Sequence, residues 1–172
     1  MANQSDTAPL ATRVILIAVL VITGAVRFTW VSPETPTDVA PYLWLFTFLF
    51  VLRVLGQVLV AIRPQQWLPP MGQWNFIPYP ILLPIQIVFI AIMTWINLSF
   101  TLGEGISMAS SPGMGAFLVA FSVVYAITMV IRYVLRMYRS PDQRWFGGTI
   151  PIVFHVVLAS YLYALGSFYV GS

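Results

Sequence analysis

Five stretches of this chain are apolar for long enough to cross a bilayer, which takes about 20 residues as a helix. They run over 14–30, 42–62, 81–100, 114–135 and 150–170. The pattern predicts an all-α protein, a polytopic membrane bundle of five transmembrane helices in a single integral-membrane domain over 1–172. The first stretch is the weakest. Its uncharged core runs only from Val14 to Val26, between Arg13 and Arg27. With Thr23-Gly24-Ala25 near its end, that core also fits a cleavable signal peptide. Retention as a span is the preferred reading, because Arg27 can extend outward and Trp30 falls where an interfacial aromatic belongs.

Helix-breaking residues punctuate the spans. Pro33, Pro36 and Pro41 fall in the first connection, and Pro64, Pro69, Pro70, Pro78 and Pro80 in the second. Pro84 is placed in the first turn of the third helix, where a missing N–H costs little. Gly103, Gly105, Pro112 and Gly113 mark the third connection. Ser140-Pro141 and Gly147-Gly148 mark the fourth, with Thr149 as the expected N-cap of the last helix. The 63–80 connection carries Trp67, Trp74, Phe76 and Tyr79 with a single charge, and reads as an aromatic segment in the headgroup layer.

Composition narrows the class. Charged residues make up 8% of the 172 and apolar residues 59%. A soluble domain carries about 25% charge. This excludes a soluble globular domain, a disordered chain and a nucleic-acid binder, despite an isoelectric point near 9.5. There is no Cys, so thiolate chemistry and Cys-bound metals are excluded. All eight basic residues are Arg, which leaves no amine for a Schiff base. No cofactor is expected.

The distribution of Arg orients the bundle. With five spans, one side collects Arg13, Arg63, Arg136, Arg139 and Arg144, with Arg132 at the edge, against Asp6 and Asp142. The other side collects Glu34, Asp38 and Glu104, with Arg27 at its edge. The expected topology is therefore N-terminus in and C-terminus out, in a bacterial-type inner membrane.

Few residues within the spans could carry chemistry. Arg53 lies near the middle of the second span with no acidic residue inside any span. Gln57 follows one helical turn later. Gln86 falls at a similar depth in the third span and His155 lies in the fifth. Together, Arg53, Gln57, Gln86 and His155 form a candidate intramembrane polar site, with Gln86 expected nearest Arg53 and His155 next. Arg132, Arg136 and Arg139 recur at i, i+4 and i+7, a candidate face for anionic lipid headgroups. Ala18, Gly24, Ala25, Ser160, Ala164 and Gly166 are small enough to permit close helix contact.

No paired carboxylates, phosphate loop or metal-ligand spacing occurs, so an intramembrane enzyme is disfavoured. The leading expectation is a non-catalytic accessory, assembly or lipid-interacting subunit. Its partners would be the bilayer, anionic headgroups, and other membrane subunits or further copies of itself. The alternative is a small oligomeric channel or transporter lined by the four polar residues.

Overall fold

A computed structural model of the chain describes residues 10–29, 33–64, 66, 68, 78–106, 111–139 and 149–171, with the side chains of the first helix given as far as Val26. The described residues form five helices: α1 Leu10–Thr29, α2 Pro36–Ile62, α3 Tyr79–Thr101, α4 Pro112–Arg139 and α5 Ile150–Gly171. Four of these, α2 to α5, are long and apolar enough to cross a membrane. The apolar stretch of α1, Leu10–Val26, is shorter. Trp67, Trp74 and Phe76 of the expected aromatic connection lie outside the described residues, as do Trp30, Asp6, Asp142 and Arg144.

Several helix boundaries differ from the hydropathy reading: α1 begins at Leu10 and α4 at Pro112, which makes Pro112 and Gly113 helical. Helix α2 begins at Pro36, not Tyr42. Its start is a polar device that hydropathy does not register. The Asp38 carboxylate accepts hydrogen bonds from the Thr35 backbone N–H at 3.1 Å and hydroxyl at 2.6 Å, and Pro36 takes the first helical position. Pro41 therefore lies inside α2, not in a connection. Helix α3 likewise begins at Tyr79, which places Pro84 in the second turn and makes Tyr79 and Pro80 helical. Helix α4 continues to Arg139, so Arg132, Arg136 and Arg139 are all helical.

The C-terminal end of α3 closes in a Schellman turn. Gly103 N donates to Phe100 O at 3.1 Å and Glu104 N to Ser99 O at 3.0 Å. Gly103 has φ +78, which an L side chain rarely adopts. The loop that follows is clasped by α5. The Tyr169 hydroxyl accepts from Ile106 N at 2.7 Å and donates to Ile106 O at 3.1 Å. At the other end of α5, the Thr149 carbonyl accepts from Val153 N at 3.0 Å, the first bond of the helix and the one expected of an N-cap residue.

Helix α5 is the axis of the bundle and is buried around most of its circumference. Its most extensive contact is with α4, followed by α2, and α1 also packs against it. Helix α3 packs mainly on α2 and reaches α5 through Phe100, whose ring meets those of Phe168 and Tyr169 edge-on at 5.3 and 6.0 Å. Helices α3 and α4 bury only a narrow strip each and turn broad apolar faces outward, including Phe89, Trp95, Phe117 and Val124.

Candidate functional site

The hydrogen bonds and ring contacts of the residues expected to form one polar site fall at more than one helix interface. Gln57 and Gln86 do meet. Both are buried, and Gln86 Nε2 donates to Gln57 Oε1 at 2.8 Å across the α2–α3 interface. Gln57 Nε2 and Gln86 Oε1 have no further partner among the described residues. Gln86 thus spends its amide donor on Gln57.

Arg53 faces α5 and α1 instead. Its guanidinium carbon stands 5.9 Å from the centre of the Phe154 ring on α5. The residue is 7% exposed, and its Nε has no hydrogen-bond partner among the described residues. Nine residues, roughly 14 Å at 1.5 Å per residue, separate it from the end of α2 at Ile62. The helical Asp38 lies fifteen positions away at the opposite end of α2, too far to compensate the charge. A cation over an aromatic face contributes about 0.5–1 kcal/mol, or about 2 when desolvated. Inserting an Arg in mid-bilayer costs about 2.5–3.5 kcal/mol. Phe154 therefore offsets only part of the cost of this position.

His155, one residue after Phe154, meets α4, and both it and Tyr125 lie within electrostatic range of Arg53. The His155 Nδ1 is hydrogen-bonded to the Pro151 carbonyl one turn earlier, and its ring meets Tyr125 of α4 edge-on at 5.7 Å. It makes no described contact with Gln57 or Gln86. Arg132 and Arg136 are half-buried on α4, and Arg139 at its end is exposed.

A second polar cluster was not foreseen. Asn97 of α3 is fully buried and sits between two helices. Its Nδ2 donates to Thr47 Oγ1 of α2 at 2.8 Å, and its Oδ1 accepts from the Tyr161 hydroxyl of α5 at 3.1 Å. One asparagine thereby joins three helices through both ends of its amide. Close to it on the same α2–α3 interface, Trp44 Nε1 donates to Thr101 Oγ1 at 3.0 Å. A lone Asn in an apolar run was the available sequence signal, since such a residue in a bilayer needs a protein partner.

Beside Arg53 lies a cavity of about 350 Å³ between α1, α2 and α5. Among the described residues it is lined almost wholly by apolar side chains, with Arg53 and Thr12 as the polar members. It lies toward the end of the bundle where α1 and α5 begin and α2 ends. Two further clefts, of about 310 and 270 Å³, separate α1 from α4. Helix α1 is thus held mainly by α5, with open space on both flanks. Gln57, Gln86 and His155 do not line the Arg53 cavity.

No protein-family model matches this chain, and neither the curated proteins nor the solved structures include a significant match to it.

Proposed function

We propose that this is an integral membrane protein of five spans that acts without catalysis, as an accessory, assembly or lipid-interacting subunit. In this reading the N-terminus and the Arg-rich ends lie inside, the C-terminus lies outside, and the membrane is of the bacterial inner type. The observation that carries it is the outward turn of the apolar faces of α3 and α4. Phe89, Trp95, Phe117 and Val124 point away from the bundle, while Asn97, Gln57 and Gln86 point into it. That inversion of a soluble protein's surface suits a solvent of acyl chains or the apolar face of another membrane subunit.

The pairing of Gln57 with Gln86 away from the Arg53 cavity also supports this reading over a polar pore. A pore would use these groups along one path. The test is purification of the full chain in mild detergent, with native mass spectrometry of what remains bound. Stoichiometric lipid or a defined membrane partner is expected. A monodisperse chain that retains neither, and that makes vesicles permeable to ions, would overturn the proposal in favour of the channel.

A further inference from the structure

We infer that the cavity beside Arg53 is a binding site for a single-chain amphiphile with a carboxylate head, of the long-chain fatty-acid class. The inference rests on the membrane, lipid-interacting reading above and assigns that interaction a place and a chemistry.

Three features carry it. The first is the charge. Arg53 stays protonated under any ordinary condition. It is more than nine-tenths buried, lines the cavity, and holds an Nε donor with no partner among the described residues. An anion is the complement such a group lacks.

The second is the lining. Apart from Arg53 and Thr12 its described lining is apolar, with Leu16, Val19, Leu49 and Phe154 as a buried floor. At about 350 Å³ it lies at the lower end of small-molecule sites, which run from about 300 to 1,000 Å³. It suits one slender chain better than a two-chain lipid. A planar carboxylate also matches the guanidinium fork and brings no further polar groups to satisfy. A phosphodiester headgroup carries several, and roughly 14 Å of helix separates Arg53 from the end of α2 at Ile62.

The third is access. Ile15 of α1 and Leu52, Leu55 and Leu59 of α2 line the same cavity and are exposed on the outside of the bundle. The cavity therefore has an apolar rim between α1 and α2, through which a chain dissolved in the bilayer can enter sideways.

The full-length protein in phosphatidylcholine nanodiscs is to be labelled with a diazirine-bearing palmitate and the adducts mapped by mass spectrometry. Labelling is expected on the α1 and α2 residues of the cavity. Excess palmitate should suppress it, whereas methyl palmitate, which has the same chain without the charge, should not. Arg53→Gln should reduce labelling roughly tenfold or more, the effect of losing one charge-assisted hydrogen bond to a buried partner. Arg53→Lys keeps the charge and should retain most of it. Ile15→Trp narrows the rim at a partly exposed position and should block labelling even if Arg53→Gln fails to fold.

Equal labelling of wild type and Arg53→Gln, or equal competition by the methyl ester, would overturn the site. Competition by dioleoyl phosphatidic acid as strong as by palmitate would overturn the carboxylate assignment in favour of a phosphate lipid. Absence of cavity labelling while stoichiometric lipid still co-purifies would overturn this site and leave the lipid-interacting reading standing. A chain that takes no label and retains neither lipid nor partner would overturn both.

Discussion

Gly166 of α5 lies directly against Gly115 of α4. A Cβ built on Gly166 would stand 2.9 Å from the Gly115 carbonyl oxygen and 2.8 Å from the Leu118 Cβ. A Cβ on Gly115 would stand 2.9 Å from the backbone of Tyr169 and Val170. The obstructing atoms are mostly backbone, so they cannot rotate away. Hydrophobic segregation adds little to helix association in lipid, and close backbone approach becomes a main source of contact energy. This pair lets α4 and α5 approach closely along the most extensive helix contact among the described residues.

Gly166→Ala and Gly115→Ala are therefore each expected to destabilise the bundle by about 1–3 kcal/mol, the usual cost of overpacking. Gly113 is the control: a Cβ there meets nothing within 4 Å, so Gly113→Ala should be near neutral. Thermal unfolding of the three variants in one detergent measures the difference. A neutral Gly166→Ala would mean that the α4–α5 contact is looser than described.

The Asn97 amide should behave as a three-helix clamp. Tyr161→Phe removes one donor and is expected to cost about 0.6 kcal/mol, the average for an interhelical hydrogen bond in a membrane protein. Asn97→Leu leaves both Thr47 and Tyr161 to find other partners and should cost more, about 1–3 kcal/mol. In a double-mutant cycle the two changes should be non-additive, because they share one bond. Strict additivity would show that the hydroxyl and the amide do not interact.

Arg53 should limit stability. Arg53→Leu is expected to insert at least as well as wild type and to raise the unfolding midpoint, since the charge leaves an apolar cavity. Arg53→Gln should fall between the two. A large loss of stability in Arg53→Leu would show that the cation over Phe154 holds α2 to α5. A gain in stability with loss of ligand is what a binding residue retained at the expense of stability would show.

The topology is tested by reporter tags. A tag at Ser172 and one within 140–148 should lie on opposite sides of the membrane, and a tag at the N-terminus should share the side of the 140–148 tag. Placing Ser172 and 140–148 on the same side would remove α5 as a span.

The order and approximate extent of all five helices were legible in the sequence, because each helix satisfies its own backbone hydrogen bonds and needs only a long apolar run to be recognised. Departures came at the ends. Thr35, Pro36 and Asp38 start α2 by capping chemistry, and a hydropathy window reads those residues as connection. That Arg53, Gln57 and Gln86 are buried also followed from local reasoning, since lipid cannot satisfy their donors.

Which groups meet was decided by the tertiary structure alone. Arg53 and Gln57 lie one turn apart on α2, yet one faces Phe154 and the other Gln86. His155 adjoins Phe154 in sequence and faces α4. In a chain this uniformly apolar, the sequence carries little record of which helix sits beside which. Close approach at Gly115 and Gly166, and one asparagine that must spend both ends of its amide, set the neighbours. The cavity beside Arg53 exists because α1 rests mainly on α5 and leaves its flanks open.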